Sequence, residues 1–272
     1  MKICFISGPS RPYQCGISDY IRLLTDELKS TGHKINLASV EYTNDLSNIL
    51  KDQPAYDLYS LQYAPYSFSS KGIIGKPLID LGKTLHDRKV HVNFHEIWIG
   101  DYSNAPLKEK LIGWLQKVEI RMFLKITRPA LITCSNAAAL DRLKRRGFPA
   151  RFLYLFGNIP YSAISKVTTN GQTLKVAFFG TPYVDFPYHH LCDFFSNLSK
   201  ACGKQLEILL IGRHREDGGT DQLLYLCKMN NFLIERTGEL STDLISEQLQ
   251  ECALGVSTTP YDVIGKSGAT AA

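Results

Sequence analysis

Short apolar runs alternate along the chain with longer stretches of helical period. Lys2 to Ser7 (KICFIS) is rich in β-branched and aromatic residues and predicts a strand. From Ile17 to Ser30, apolar side chains fall at Ile17, Tyr20, Ile21, Leu24 and Leu28, the spacing of one helical face. The same pattern predicts strands near 34–40, 56–62, 89–94, 130–134 and 150–154, and helices over 72–86, 107–127 and 136–146. On helix 107–127, Leu107, Leu111, Trp114, Leu115, Val118, Met122 and Ile126 make one stripe, expected to pack into the core. Residues 155–173 lack a clear period and are rich in Gly, Ser, Thr and Asn, which predicts a linker. The alternation then restarts, with strands expected at 174–179, 207–211, 232–236 and 253–257 and helices between them. Strand–helix alternation of this kind predicts an α/β fold with parallel sheets covered on both faces. The expected architecture is two doubly wound, Rossmann-like domains, 1–165 and 172–272, facing a cleft at the carboxyl ends of their strands, where such folds bind ligands.

Composition narrows the class. With 44% hydrophobic and 21% charged residues the chain is an ordinary globular protein. Its apolar runs, such as Ile208 to Ile211, are too short to span a bilayer. The first ten residues read as a strand and not as a secretory signal. Seven cysteines, odd in number and never spaced C-x-x-C, predict reduced thiols in a cytoplasmic protein. Charge is uneven: residues 1–170 hold 23 Lys/Arg against 14 Asp/Glu, and 171–272 hold 8 against 12. Lys110, Lys117, Arg121 and Lys125 flank the stripe on helix 107–127, and a second basic cluster, DRLKRRGF, follows at 141–148. The basic half is therefore a solvated face or a contact for an anionic membrane surface or a lipid-phosphate acceptor, at the inner face of the membrane. Nucleic acid is not expected, because the cations are not interleaved with an aromatic stacking platform.

Candidate chemistry sits at the predicted strand ends. SGPSRPYQCGISDY (7–20) places a Gly/Pro/Ser loop before a helix opened by Gly16, suited to close approach of an anion or sugar. In VHVNFHEIWIGDY (90–102), His95 and Glu96 follow a strand directly; His95 has the chemistry to donate to a ligand oxygen or to transfer a proton. LLIGRHRE (209–216) crowds Arg213, His214 and Arg215 into one turn, and arginine grips phosphate bidentately. Gly265-Lys266-Ser267-Gly268 reads as a helix start offering a cation and a hydroxyl to an anion, or as a helix capped by Ser267. No D-x-D occurs to hold a metal–diphosphate, and the absence of C-x-x-C and G-x-S-x-G removes support for zinc- and serine-hydrolase readings.

Together CGISDY, LQYAPYSF (61–68), FHE (94–96), TCSNAAALDRL (133–143), FGNIP (156–160), IGRHRE and TPYDVIGKSG resemble, in order and spacing, bacterial nucleotide-sugar glycosyltransferases of the retaining, group-four type with the GT-B fold. The resemblance implies an acceptor-binding first domain and a sugar-nucleotide-binding second domain. It implies that His95 contacts the donor sugar, that Gly16 lies near the donor diphosphate, and that Gly238 and Glu239 fall in the nucleobase region. Metal is typically not required in this family, and the nucleotide-diphosphate sugar is a substrate, so no cofactor is expected. The chain departs from the pattern where an Arg and a Lys usually follow the first strand of the second domain: it has GTPYVDFPYHH. Ile264 and Ala272 stand where two glutamates, eight positions apart, are usual. Lys266 and Arg213, with Ser267 and Gly268, are the expected substitutes at the diphosphate. The family fold continues beyond the equivalent of Ala272, so the resemblance implies a C-terminally incomplete second domain. The expected function is metal-independent transfer of a sugar to a glycan or lipid-linked acceptor. The alternatives are a non-catalytic or partner-dependent nucleotide-sugar-binding protein, or a nucleotide-sugar epimerase relative.

Overall fold

The structure is a computed structural model that describes residues 1–9, 16–41, 46, 48–51, 53–162, 171–214, 218–261 and 264–272. Residues 10–15, most of the loop before Gly16, and Arg215 lie outside the described residues. The chain divides into two compact units, Met1–Tyr154 and Leu155–Ala272.

The first unit holds β1 (Lys2–Ser7), β2 (Lys34–Ser39), β3 (Leu58–Tyr63), β4 (Val90–Phe94), β5 (Leu131–Cys134) and β6 (Arg151–Phe152), in the order β2-β1-β3-β4-β5-β6. Every pairing is parallel. The order turns back between β1 and β3, which makes that gap the switch point of the sheet. The connecting helices are α1 (Gly16–Ser30), α2 (Pro65–Phe68), α3 (Lys76–Thr84), α4 (Leu107–Thr127) and α5 (Ala137–Arg145). One sheet face is apolar: Tyr59, Leu61, Tyr63, Val90, Val92 and Phe94 pack with Leu78 and Leu81 of α3 and Ile120, Phe123 and Leu124 of α4. Each such side chain contributes about 1.5–3 kcal/mol on full burial. The helix expected from residue 72 begins only at Lys76, because Gly75 has φ +71°, outside the helical region, and Pro77 then fits the first turn.

Helix α4 turns the other way from expectation. Leu107, Leu111, Trp114, Val118 and Met122 are exposed, Trp114 at 57%. The buried side carries Gly113, Gln116, Glu119, Ile120, Phe123, Leu124 and Thr127. Two polar residues face inward because loop backbone satisfies them. Gln116 accepts from Ile99 N (3.0 Å) and donates to Gly72 O (2.9 Å). Glu119 accepts from Ile74 N and Gly75 N (3.0 and 2.9 Å) and from the Tyr63 hydroxyl (3.4 Å).

The second unit holds β7 (Thr173–Phe179), β8 (Gln205–Ile211), β9 (Leu233–Gly238) and β10 (Leu254–Val256), parallel and ordered β10-β7-β8-β9. Its switch point is therefore between β7 and β10. Around the sheet lie α6 (Tyr188–Cys202), α7 (Gly218–Met229), α8 (Thr242–Glu251), a 3-10 turn (Ile264–Lys266) and α9 (Gly268–Ala271). Val176, Phe178, Phe195, Ile208, Leu210 and Leu223 form the core on one side, and Ala177, Leu209, Ile211 and Ile245 form a smaller one on the other. Residues 155–162, expected to be linker, pack onto this unit. Ile159 joins the smaller core, Ser162 N donates to Ser246 Oγ (2.9 Å), and Gln250 Nε2 donates to Ser162 O (2.8 Å).

Among the described residues, no helix is long and apolar enough to cross a membrane. The six described cysteines are free thiols.

Candidate functional site

A cavity of about 320 Å³ opens at the switch point of the second sheet. Its wall comes from the loop after β7 (Gly180–Tyr183), the hydroxyl run after β10 (Ser257, Thr258, Thr259), and Lys266, Ser267 and Ala269. The volume is that of a small-molecule site. The loop after β7 is held by Tyr183 N donating to Thr258 Oγ1 (2.9 Å) and by α7 behind it. A side chain at Gly219 would put its first carbon 2.2 Å from Pro182 O, so only glycine permits that approach. The hydroxyls link up: Ser257 Oγ is 2.8 Å and Thr259 Oγ1 3.2 Å from Thr270 Oγ1, which donates to Ser267 Oγ (2.8 Å).

Of the residues expected at a diphosphate, this cavity gathers Lys266 and Ser267. Ser267 also caps α9, its Oγ accepting from Thr270 N (3.2 Å), so the capping chemistry is present within the cavity wall. Gly268 packs against Asn158, whose buried Oδ1 has no hydrogen-bond partner among the described residues. An ammonium beside several hydroxyls suits a phosphate-bearing ligand.

Arg213, Gly238 and Glu239 lie at the ends of β8 and β9, outside the cavity wall. Arg213 Nη2 pairs with Glu239 Oε2 in an exposed ion pair, and Gly238, at φ +69°, bridges to Gly212. His214 stitches two strand ends: Nδ1 is 3.1 Å from Gly212 O and Nε2 3.2 Å from Gly180 O.

In the first unit the polar sheet face carries a closed ring of side chains. Register sets Ser60 opposite His91, Gln62 opposite Asn93, and Asn93 opposite Thr133. Residues two apart on a strand share a face, so His91, Asn93 and His95 align. The donors can be assigned from the amide and hydroxyl partners. Thr133 Oγ1 donates to Asn93 Oδ1 (2.8 Å), which commits its single proton. His91 Nε2, 2.8 Å from that oxygen, therefore donates, and His91 Nδ1 accepts from Ser60 Oγ (2.9 Å). Ser60 Oγ accepts from Gln62 Nε2 (2.8 Å), and Gln62 Oε1 accepts from Asn93 Nδ2 (3.1 Å). Five side chains each donate once and accept once around the ring.

His95 hangs on this ring. Its Nε2 is 2.8 Å from Gln62 Oε1 and 3.2 Å from Asn93 Nδ2. Gln62 Oε1 can only accept, so the shorter contact makes Nε2–H the donor and leaves the lone pair on Nδ1. Burial first, and then the neighbouring His91, pull the His95 pKa down to about 4; burial does the same to His91. Both rings are neutral at pH 7. The chemistry left to His95 is that of a neutral acceptor through Nδ1, narrower than the donor or proton-transfer roles the sequence suggested. Tyr20 of α1 meets the imidazole edge-on at 5.0 Å. Gly16 opens α1, with open space where a side chain would project. His91 and His95 are four residues apart, a spacing that pairs metal ligands on a helix. Here His91 stands on β4 with both nitrogens bonded in the ring, and His95, just past the strand, is tied to the ring through Nε2. Among the described residues, no cluster of three His, Cys, Asp or Glu side chains is arranged to hold a metal.

The sequence did not single out Gln62, Asn93, Ser60, His91, Thr133, Thr258 or Gly219. Polar residues at alternate positions of otherwise apolar strands, and the Gly-Gly that opens α7, were the available signals.

No protein-family model and no curated protein matches this chain. Solved structures do. Anabaena Alr3699/HepE, in complex with UDP and glucose, is 13% identical, with a TM-score of 0.55 over 98% of this chain and 78% of its own. An alpha-glucosyltransferase, in complex with UDP and a 13-mer DNA, is 13% identical, with a TM-score of 0.53 over 94% of this chain and 71% of its own. A candidate UDP-N-acetylglucosamine 2-epimerase from Listeria monocytogenes is 9% identical, with a TM-score of 0.52 over 93% of this chain and 73% of its own. At such identities the likeness is one of fold. The chain has the α/β architecture of two parallel sheets found in GT-B glycosyltransferases.

Proposed function

We propose that this protein is a glycosyltransferase that binds a nucleotide-diphosphate sugar in its second unit and transfers the sugar to a glycan or lipid-linked acceptor. The observation that carries this reading is the cavity at the β7/β10 switch point, with Lys266 and the hydroxyl residues Thr181, Ser257, Thr258, Thr259 and Ser267 in its wall. UDP bound to HepE and to the alpha-glucosyltransferase, proteins of the same fold, supports the ligand class. In this reading Lys266, with Ser267 and Gly268, meets the diphosphate and stabilises the charge that develops as it leaves the anomeric carbon. Arg213 joins by exchanging its exposed pairing with Glu239 for a phosphate, at small cost. Gly238 and Glu239 border the nucleobase, Gly16 adjoins the diphosphate, and His95 accepts from a sugar hydroxyl through Nδ1. These roles require no metal.

Calorimetric titration with UDP, UDP-glucose and other nucleotide sugars tests the reading. Binding of at least one nucleotide sugar is expected, with glucose alone inert. Lys266→Ala should weaken the affinity at least about tenfold, the worth of one charge-assisted contact. Absence of binding by any nucleotide sugar rejects the site.

The epimerase of similar fold favours a second reading, a nucleotide-sugar epimerase. Incubation without acceptor separates the two: an epimerase converts the nucleotide sugar itself, whereas a transferase leaves it intact until an acceptor is added. Tight binding with neither outcome marks a non-catalytic nucleotide-sugar-binding protein.

A further inference from the structure

Helix α4 has two apolar sides, and the fold uses one. On the other, Leu107, Leu111, Trp114, Val118 and Met122 recur at helical spacing and are all exposed, Leu107 at 84%. A continuous apolar patch on a protein surface marks a contact. Its surroundings define the partner. The helix carries five cations, Lys108, Lys110, Lys117, Arg121 and Lys125, and two carboxylates. Glu119 is turned into the core, and Glu109 is bonded to the Tyr102 hydroxyl (2.8 Å). The end of α5 adds Arg142, Lys144, Arg145 and Arg146.

Where α4 meets the segment after α5, a cavity of about 200 Å³ opens, lined by Trp98, Trp114, Arg121, Arg146 and Phe148 among others. Lys117, in the same wall, is paired with Asp101, which also accepts from Trp98 Nε1. Arg146 lies 6.0 Å from the centre of the Trp98 ring. Among the described residues, neither Arg121 nor Arg146 takes part in an ion pair. Two guanidinium groups in one cavity wall, one of them over an aromatic ring, fit a phosphate joined to an apolar body.

We infer that this face docks onto an anionic phospholipid bilayer. Helix α4 lies in the plane of the interface with its outer stripe at the headgroup–acyl boundary, and the Trp98/Arg121/Arg146 cavity takes a lipid phosphate. The apolar stripe supplies insertion and the cations supply attraction to anionic headgroups. A second copy of the same face is a poorer occupant, since pairing two copies would set their cations against each other. The inference stands whether or not the second unit transfers sugar.

Tryptophan fluorescence with vesicles tests it directly. The chain has two tryptophans, and Trp98, 4% exposed, is already shielded from water, so a blue shift on docking reports Trp114. At roughly 0.1 M salt, vesicles of equal phosphatidylglycerol and phosphatidylcholine should shift the emission to the blue and sediment the protein. Partitioning onto pure phosphatidylcholine should be at least about tenfold weaker. Leu111→Ala with Trp114→Ala should lower partitioning at least about tenfold. Arg121→Gln with Arg146→Gln should weaken binding to anionic vesicles at least about tenfold, at about 1 kcal/mol per cation, and narrow the preference for them. These side chains point outward, so unchanged circular dichroism and melting temperature verify the fold of each variant. Three results would overturn the inference: no sedimentation with anionic vesicles; equal binding to both vesicle types; or a blue shift without lipid that grows with protein concentration as a dimer forms.

Discussion

The two sheets end in opposite ways. Beside the switch point of the first, Ser60, Gln62, His91, Asn93 and Thr133 satisfy one another in a closed ring, and His95 is tied to it. At the switch point of the second, hydroxyls and Lys266 surround an open cavity. Both ends concentrate polar groups where α/β folds bind ligands, but among the described residues those of the first bond one another while those of the second line a cavity. A saturated network contributes rigidity and fixes a tautomer; groups that line a cavity can also meet what enters. The first kind of site should therefore register in stability and the second in binding.

The largest expected effect comes from opening the ring. Asn93→Leu leaves the buried Thr133 hydroxyl without its acceptor and takes one of two donors from Gln62 Oε1, and should cost about 2–4 kcal/mol, since each unsatisfied group costs about 1–3. Both tryptophans lie in the first unit, so urea unfolding followed by their fluorescence reports that unit alone. A midpoint unchanged from the parent would show that the ring is not load-sharing.

Acid should act on the same network next. His91 and His95 titrate near 4 in the fold against an ordinary 6.5, because burial disfavours the imidazolium. The unfolded chain then binds protons first as the pH falls. Stability from these two groups is full above about pH 6.5 and is lost progressively toward about pH 4, a few kcal/mol in total. The tryptophan-reported urea midpoint should drop between pH 7 and pH 5, and a flat profile would contradict the buried neutral pair.

The cavity of the second unit should respond little in stability. Lys266→Ala and Arg213→Ala should each change the melting temperature by no more than about 0.5 kcal/mol implies, while the first weakens nucleotide-sugar binding as described above. A large destabilisation by Lys266→Ala would make that lysine a structural residue and erase the contrast.

Helix α4 shows where pattern reading fails. Its most regular apolar stripe lies outside, and its inner face includes Gln116 and Glu119. Periodicity finds a helix, yet it cannot choose between two apolar faces when polar residues on one of them are satisfied by distant loops. The partners of Gln116 and Glu119 are backbone groups of residues 72, 74, 75 and 99, together with Tyr63, up to 56 positions away. The segment 155–162 looked like linker for a related reason: its contacts with Ser246 and Gln250 are more than 80 residues distant in sequence.

Local pattern alone determined the alternation of strands and helices and hence the parallel α/β class, because periods of two and 3.6 are set by backbone geometry within a few residues. The strand-end positions of His95 and Arg213, and the helix start after Lys266, were legible for the same reason. Tertiary structure decided the rest. Parallel register assembled the ring from three strands, fixed the His95 tautomer and pulled its pKa down. The order β10-β7-β8-β9 put the Lys266 turn beside the loop after β7 and left Arg213 to Glu239. Such choices depend on which distant groups meet, and hydrogen bonding and burial are settled only when the chain has closed on itself.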